Sequence, residues 1–301
     1  MALQFSIPGK TFLVGEYLAL HGGPTLVALS KPCFELKAFA GTGSFGAIHP
    51  DSPAGKFISK HSDFFKKFDL EFVDPYQGMG GFGASTAQFL GAYSLWLYKE
   101  PHMQGMELMF DYKHLLSTYT EFAWNGQGTP PSGADLIGQM KGSLTFFDKR
   151  RGMLSVATWP FEDLEFYLIH TGNKVPTHEH LKTLKEFDSS GLEKSFAKVQ
   201  TAFNEQSSAL LIEGVKDYAA ELVKLNFTCE PTLALLQDIR ALSGVVAAKG
   251  CGALGSDVLF VVTKRNEASH LENYCQNKNL KIVSSHRQIS VGLQVSERSK
   301  S

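Results

Sequence analysis

A glycine-rich segment that runs straight into an apolar helix pattern restricts the fold of this chain more than any other feature. Residues 80–87 read Gly-Gly-Phe-Gly-Ala-Ser-Thr-Ala, and the helix pattern follows over residues 85–98. Glycines let several backbone N–H groups point at one spot without a Cβ in the way. A helix N-terminus adds unpaired N–H donors and about half a positive charge. The sequence therefore predicts a phosphate-binding loop that consists of Gly80, Gly81, Gly83, Ala84, Ser85 and Thr86.

The spacing within this loop separates it from two common nucleotide-binding motifs. It matches neither Gly-x-x-x-x-Gly-Lys-Ser/Thr nor Gly-x-Gly-x-x-Gly. In the functional interpretation, Ser85 or Thr86 places a hydroxyl on a phosphate group or on Mg²⁺. In the alternative interpretation, the segment is a flexible loop in which Ser85 caps the helix that follows.

Two further glycine segments, distant in sequence, have the composition expected of other parts of the same site. Pro8-Gly9-Lys10 lies near the N-terminus, and residues 249–257 read Lys-Gly-Cys-Gly-Ala-Leu-Gly-Ser-Asp. A lysine after a turn can stabilise the charge on a phosphoryl group during its transfer. Taken alone, such a lysine is usually a solvated surface charge, so the hypothesis depends on the three segments together.

Asp135 is the candidate acid–base residue. It follows Ser132-Gly133-Ala134, and a carboxylate after a glycine turn can face a cleft and accept a proton from an attacking hydroxyl. We expect Lys10 to pair with it. The alternative is an aspartate in the first turn of a helix, where the helix dipole favours it.

Composition excludes several classes of partner. The chain has 301 residues, a formal net charge of -1 and 20% charged residues, so no basic surface indicates nucleic-acid binding. No apolar stretch approaches the ~20 residues that span a bilayer, and no secretory leader is recognisable. The four cysteines are scattered, which favours free thiols in a reducing cytosol. We therefore expect a cytoplasmic monomer or homodimer that binds small molecules and neither nucleic acid nor membrane.

The order of the predicted elements favours an α+β fold over a parallel array of βαβ units. Apolar and alternating runs in the first 40 residues predict strands, whereas residues 178–243 are largely helical in pattern. Residues 289–293 predict a closing strand. A turn-rich boundary near residue 160 divides the chain into a predicted domain of residues 1–160 and a second of residues 161–301.

Taken together and in this order, the segments resemble the motifs of the GHMP kinase superfamily, which includes galactokinase, homoserine kinase, mevalonate kinase and phosphomevalonate kinase. Residues 8–17 resemble its first motif, Pro-Gly-Lys followed by Gly-Glu-His/Tyr, and residues 81–87 its Gly-Leu-Gly-Ser-Ser-Ala-Ala phosphate loop. Residues 132–135 resemble Ser-Gly-x-Asp, residues 171–177 resemble Thr-Gly-x-x-x-x-Thr, and residues 249–257 the third motif. The resemblance covers most of the chain.

The resemblance implies a domain like ribosomal protein S5 domain 2, a ferredoxin-like C-terminal domain and a cleft between them. It implies ATP and Mg²⁺ as cofactors, Lys10 and Asp135 as catalytic residues, and Ser85 as the hydroxyl on the Mg²⁺ side. The Mg²⁺-binding glutamate of the superfamily falls near Glu121, although the spacing to residues 132–135 differs. The implied substrate-binding residues are Glu16, Ser132, Gly133, Thr171, Gly172, Lys174, Gly252 and Ser256.

Residues 15–17, Gly-Glu-Tyr, and the third motif resemble the phosphomevalonate kinase branch most, because mevalonate kinases and galactokinases usually have histidine after the glutamate. The resemblance therefore implies phosphomevalonate as the acceptor, with mevalonate or another small hydroxyl compound as the alternative. A phosphorylated acceptor needs additional cations. Candidates for these are Lys149, Arg150, Arg151, Lys174 and Arg287.

Two positions depart from the superfamily motifs. Ala84 replaces the first serine of the phosphate loop, and Leu254 replaces a glycine of the third motif, where a side chain would crowd a close approach of the backbone. These changes keep open a divergent specificity, and also a catalytically silent relative that binds a ligand or a partner protein. The presence of both Lys10 and Asp135 argues against the silent relative.

Overall fold

The computed structural model of the protein describes residues 2–99, 111–172, 184 and 186–298. These residues form one six-stranded and one four-stranded sheet, with helices packed against both. All the strand pairings between named strands are antiparallel, so the predicted α+β class is confirmed. Among the described residues, no helix is both long and apolar enough to cross a membrane.

The first sheet is organised around one long strand that pairs with three others. Its strands are β1 (Ala2–Val14), β2 (Pro24–Ala40), β3 (Phe68–Val73), β4 (Leu144–Asp148), β5 (Met153–Ala157) and β10 (Gln294–Arg298). The order across the sheet is β10–β1–β2–β4–β5, and β3 also pairs with β2. Residues 24–28 of β2 pair with β4 and residues 35–40 pair with β3, so its length accommodates both neighbours.

Five helices of the described residues accompany this sheet, and a glycine sets how closely one of them, α3, approaches it. The helices are α1 (Pro53–Lys60), α2 (Ser62–Phe65), α3 (Ala84–Lys99), α4 (Tyr112–Ala123) and α5 (Ala134–Lys141). A Cβ at Gly91 of α3 would lie 2.8 Å from Leu36 Cδ2 of β2, so only glycine permits this contact. The fully buried rings of Phe57 and Phe89 pack together at the centre of the core, 5.5 Å apart.

The second sheet is covered on both faces. Its strands are β6 (Leu164–His170), β7 (Val245–Cys251), β8 (Val258–Lys264) and β9 (Lys281–Ser285), in the order β7–β8–β6–β9. Four described helices belong to this part: α6 (Ser190–Glu205), α7 (Ser208–Lys224), α8 (Glu230–Arg240) and α9 (Ser269–Asn277). Leu259 and Val261 of β8 join one core cluster, whereas Phe260 and Val262 join another. Burial of both faces explains why β8 reads as a continuous apolar run.

The end of the chain returns to the first sheet. Residues 289–293, predicted as a strand, contribute only isolated bridges, of Ile289 to Ser30 and of Val291 to Gly142. The strand comes later, as β10, which pairs with β1 and places Val295 opposite Phe5. The predicted second domain therefore contains one strand of the first sheet. The boundary near residue 160 falls between β5 and β6 and stays a prediction.

Candidate active site

A cleft of about 370 Å³ lies where β1, the start of α3, the start of α5 and the end of β7 meet. Its walls contain residues of all three glycine segments and of the segment that precedes α5. The lining residues are Lys10, Thr11, Phe12, Glu16, Tyr17, Leu20, Gly81, Gly83, Ser85, Thr86, Tyr119, Thr129, Pro130, Pro131, Ser132, Asp135, Cys251, Gly252, Ala253, Asp257 and Val258. The fold thus brings Lys10, Ser85 and Asp135 to one site.

The glycine loop before α3 has two positions at which only glycine is suitable. Gly81 has a φ of +89° and Gly83 a φ of +83°, both in the region that other residues rarely adopt. A Cβ at Gly81 would lie 2.9 Å from Asp257 Cβ, and a Cβ at Gly83 would lie 2.8 Å from Lys10 Cγ. The loop therefore fits tightly between β1 and the residues before β8. Gly80 and Ala84 belong to the loop but, among the described residues, are not part of the cleft wall.

The structure distinguishes the two hydroxyls of the loop. The Thr86 side chain is buried, and its Oγ1 donates to Gln139 Oε1 at 2.7 Å, with the Gly83 carbonyl oxygen 3.0 Å away. Ser85 is exposed and lines the cleft. Of the two predicted candidates, Ser85 is the hydroxyl that can reach a ligand, whereas Thr86 supports the loop.

Lys10 is anchored to the glycine loop through its backbone. Its N–H donates to the carbonyl oxygen of Phe82 at 3.0 Å. Its Nζ lies 5.0 Å from the ring centroid of Phe12, within the range of a cation–π interaction. This arrangement holds one positive charge beside the glycine loop at the start of α3.

Asp135 is the second residue of α5, and a left-handed glycine leads into this helix. Gly133 has a φ of +72°, and a Cβ there would overlap Leu116. Ser132 Oγ accepts from the Ala134 N–H at 3.3 Å, and Asp135 Oδ1 accepts from the Leu136 N–H at 3.0 Å.

Asp135 and Ser132 line the cleft, whereas Gly133 shapes the turn behind them. Among the described residues, no ion pair joins Asp135 to Lys10, so the two charges share the cleft without the direct pairing that we expected.

Glu16, predicted to bind substrate, forms a buried ion pair with Lys249. Glu16 Oε1 lies 2.7 Å from Lys249 Nζ, and the two side chains are 7% and 0% exposed. Burial raises the pKa of the Glu16 carboxyl, and the Lys249 ammonium opposes this shift. The Lys249 Nζ also lies 3.5 Å from Cys251 Sγ. Glu16 contributes to the cleft wall, but its main contact joins the end of β1 to residues 249–257.

Tyr17, the next residue, also contacts residues 249–257. Its hydroxyl accepts from the Leu254 N–H at 3.0 Å, and its ring stacks on Phe227 with centroids 4.0 Å apart. The Gly15 N–H donates to the Tyr218 hydroxyl of α7 at 3.0 Å. With the Glu16–Lys249 ion pair, residues 15–17 therefore make four contacts to the part of the chain that follows residue 217.

The remaining predicted substrate-binding residues divide between the cleft and its support. Gly252 lines the cleft. Ser256 is fully buried, and its carbonyl oxygen accepts a hydrogen bond from the Thr171 hydroxyl. The Thr171 N–H donates to the Asp257 carbonyl oxygen at 3.1 Å. Thr171 and Ser256 thus fix the loop that carries Asp257. Gly172 is exposed and outside the described cleft wall, and Lys174 lies outside the described residues.

Several predicted charged residues lie elsewhere. Glu121, the candidate Mg²⁺ ligand, is an exposed residue of α4 that pairs with Lys60, and it is not part of the described cleft wall. Arg150 pairs with Glu193 at 3.0 Å, and Arg287 pairs with Glu165 at 2.6 Å. Lys149 and Arg151 are exposed residues of the turn between β4 and β5. None of these residues lines the cleft in the described structure.

Sequence reasoning missed Tyr119 and Gln139. Tyr119 of α4 lines the cleft, and burial raises the pKa of its hydroxyl. Gln139 is fully buried behind the phosphate loop. A signal for Gln139 was present, because it follows Asp135 by four residues and so lies on the same face of α5. Tyr119 had no such signal, because an aromatic residue in an amphipathic helix is usually a core residue.

Comparison with known proteins relates this arrangement to solved structures. No protein-family model matches the chain, and a search of curated protein sequences gives no match. The Lin0012 protein from Listeria innocua is similar in structure, with a TM-score of 0.75, 18% identity, and coverage of 99% of this chain and 100% of that one. Phosphomevalonate kinase from Streptococcus pneumoniae, in complex with phosphomevalonate and AMPPNP, has a TM-score of 0.72 and 17% identity, with coverages of 95% and 99%. Galactokinase from Lactococcus lactis, complexed with galactose, has a TM-score of 0.73 and 12% identity, with coverages of 97% and 95%.

The chain therefore has the two-domain fold of the GHMP kinases, as the resemblance of its motifs implied. Phosphomevalonate kinase and galactokinase share this fold although their bound molecules, phosphomevalonate and galactose, differ greatly. The shared fold therefore does not by itself identify what this chain binds.

Proposed function

We propose that the protein is an ATP-dependent phosphotransferase that acts on a small acceptor molecule. The observation that carries the proposal is the meeting of the glycine loop, Lys10, Ser85 and Asp135 in one cleft. Because these residues come from three separate segments of the chain, their convergence does not follow from any one motif. The proposal places the enzyme in the cytoplasm, as a monomer or a homodimer, and the four free cysteines fit a reducing compartment.

The residues present fit the phosphate groups of ATP together with Mg²⁺. The N-terminus of α3 favours negative charge, and the Gly81 and Gly83 positions permit a close approach. Mg²⁺ is usually held by one or two protein ligands and by the phosphates of the substrate. The described residues contain no cluster of three or more His, Cys, Asp or Glu side chains that could hold a metal. Ser85 would bind the ion, which neutralises charge on the β- and γ-phosphates when present.

Asp135 and Lys10 would act on the reacting groups. With phosphomevalonate, an oxygen of its terminal phosphate bonds to the γ-phosphorus, and Asp135 accepts the proton of that phosphate group where it carries one; with mevalonate, Asp135 accepts the proton of the acceptor hydroxyl. In both cases the bond between the γ-phosphorus and the β–γ bridging oxygen breaks to release ADP. Lys10 stabilises the negative charge on the phosphoryl group in transfer. Phosphoryl transfer depends mainly on positioning and charge stabilisation, so this small set of residues is sufficient.

Within this proposal the acceptor is phosphomevalonate. Mevalonate is the second candidate, because the cleft offers few positive charges for a phosphorylated acceptor. Lys10 is the one cationic side chain among the described lining residues. A phosphorylated acceptor carries more negative charge than a single lysine balances, so it needs additional cations. Lys174, in the segment that resembles Thr-Gly-x-x-x-x-Thr, is the sequence candidate. Mevalonate carries one carboxylate and needs no such addition.

The test is ADP release with ATP and Mg²⁺, measured in parallel with phosphomevalonate, mevalonate, homoserine and galactose. Asp135→Asn keeps the Oδ1 acceptor for the Leu136 N–H and removes the base, so we expect kcat to fall at least about tenfold while ATP binding persists. The exposed Asp51→Asn is the matched control. Lys174→Gln is expected to raise KM for phosphomevalonate without changing KM for ATP.

The outcomes separate the candidates. Turnover with one acceptor alone identifies the substrate. ATP-dependent stabilisation without turnover indicates an acceptor outside the panel. If ATP neither stabilises the protein nor is consumed, the chain is not a kinase, and the silent relative is the correct interpretation.

A further inference from the structure

We propose that Gln139 is a positioning residue that fixes the relative placement of the Lys10 strand, the phosphate loop and the Asp135 helix. Gln139 belongs to none of the motifs, and its side chain is completely buried. Its catalytic consequence depends on the function proposed above. Its structural part depends only on the hydrogen bonds that the side chain forms.

Those hydrogen bonds connect three segments that are far apart in sequence. Gln139 Nε2 donates to the Pro8 carbonyl oxygen at 3.0 Å and to the Gly83 carbonyl oxygen at 3.1 Å. Gln139 Oε1 accepts from Thr86 Oγ1 at 2.7 Å. One amide group therefore binds β1, the glycine loop and the first turn of α3 to α5.

Each contact lies next to a residue with a proposed role. Pro8 precedes Lys10 by two residues, and Gly83 precedes Ser85 by two. Gln139 itself follows Asp135 by four residues, one helical turn along the same face of α5. A shift at Gln139 therefore reaches a group at the cleft across two residues in β1 and in the glycine loop, or across one turn of α5. Displacements of about 1 Å at reacting groups can reduce rates on the order of 100-fold.

An amide is the side chain that satisfies all three partners. It offers two N–H donors and one carbonyl acceptor, which match two carbonyl oxygens and one hydroxyl. A methionine of similar length removes all three hydrogen bonds, and water cannot replace them where the residue has no exposed surface. The Gly83 carbonyl oxygen would still accept from Thr86 Oγ1 and from the Ala87 N–H, so what is lost is the connection of the loop to α5 and β1. Gly83 adds to the fit, because a Cβ there would lie 3.1 Å from Gln139 Nε2. The close packing leaves little room for a substitute arrangement.

The activity test compares Gln139→Met with Gln4→Met. Gln4 is likewise a buried glutamine, but it lies on β1 of the first sheet and is not part of the described cleft wall. We expect Gln139→Met to lower kcat at least tenfold at saturating ATP and acceptor, with a smaller change in KM for ATP. Gln4→Met is expected to leave kcat unchanged, because the buried Gln4 Oε1 has no hydrogen-bond partner among the described residues. Thr86→Val removes one of the three hydrogen bonds and is expected to have an intermediate effect on kcat. If folded Gln139→Met has a kcat within twofold of the unaltered protein, Gln139 supports only the core and the proposal is wrong.

A second measurement does not require turnover. Amide hydrogen exchange under native conditions reports on the segments that Gln139 holds, residues 8–12 and 82–88. We expect Gln139→Met to accelerate exchange there at least tenfold, including at the Lys10 N–H, which donates to Phe82. Exchange that stays unchanged in both segments overturns the proposal even if no acceptor is found. If the unaltered protein is inactive but exchange accelerates as expected, the proposed function fails and the positioning role stands.

Discussion

The buried ion pair between Glu16 and Lys249 allows a stability prediction to be worked out in full. The substitution Lys249→Met keeps an apolar chain of similar length and removes the ammonium. Glu16 then keeps its carboxylate in a site where its side chain is 7% exposed, without its partner at 2.7 Å. Removing one member of a buried pair typically costs about 3–5 kcal/mol, because the remaining charge is left uncompensated.

The unfolding entropy, estimated from the chain length, gives the fall in melting temperature that corresponds to this loss. At about 2.1 cal/mol/K per residue, the unfolding entropy of a chain of this size is roughly 0.6 kcal/mol/K if it unfolds in one step. A loss of 3–5 kcal/mol therefore corresponds to a fall in Tm of roughly 5–8 °C. The interaction of Lys249 Nζ with the Tyr218 ring, whose centroid is 5.6 Å away, is lost as well and adds to the fall.

The loss also depends on pH. Burial raises the pKa of Glu16 above its ordinary value of 4.5, and without the ammonium the rise is larger. A carboxyl whose pKa is raised in the folded state contributes stability below the pKa of the unfolded chain and loses it as pH rises toward the folded pKa. We therefore expect the deficit of Lys249→Met to be small near pH 4.5 and to widen toward pH 8.

Urea unfolding at several pH values measures these effects. The matched control is Lys198→Met, which removes a lysine that pairs with two exposed acids on the surface and should cost no more than about 1 kcal/mol. The double variant Glu16→Gln with Lys249→Met should recover part of the loss, because no charge is left buried. A cost no larger than that of the control, or a double variant that is no more stable than Lys249→Met, refutes the reasoning.

Three further predictions concern the cleft. Gly81→Ala should lower Tm and weaken ATP binding more than Gly78→Ala, because both have positive φ but only the Gly81 methyl meets atoms within 3.0 Å; calorimetry that finds equal effects contradicts this. Ser85→Ala should raise the Mg²⁺ concentration for half-maximal velocity severalfold and leave Tm unchanged, since Ser85 is exposed. Burial raises the pKa of Cys251 to about 11, so at pH 8 only about one thiol in a thousand is ionised, and peptide mass spectrometry should find Cys33 alkylated by iodoacetamide well before Cys251.

The sequence was most informative where function depends on local chemistry. Helix α3 was predicted over residues 85–98 and spans Ala84–Lys99, because its apolar pattern and its glycine loop mark both its face and its start. The tight loop around Gly81 and Gly83 was predicted from its glycines, and their positive φ values explain why no other residue suits these positions. Backbone positions with left-handed conformations usually require glycine, so they can be recognised from the sequence.

The sequence was least informative where a side chain acts through a distant partner. Glu16 was expected to face the substrate, but its partner Lys249 is 233 residues away, and the pairing depends on how the two sheets meet. Glu121 was placed by motif spacing, whereas the helix that carries it directs the side chain to Lys60 on α1. Such contacts are set by tertiary packing, which neither periodicity nor spacing records.

The two departures from the GHMP kinase motifs affect the backbone more than the cleft. Leu254 occupies the left-handed region, with a φ of +52°, where glycine would avoid a cost of about 1–2 kcal/mol. Its N–H donates to the Tyr17 hydroxyl, and its carbonyl oxygen accepts from the Cys229 N–H at 2.9 Å, so the surrounding contacts hold the conformation in spite of that cost. Neither Leu254 nor Ala84 is part of the described cleft wall. Leu254 therefore holds a left-handed conformation outside the described cleft wall, and the cleft keeps Lys10, Ser85 and Asp135 on its wall, which supports the proposed kinase over a silent relative.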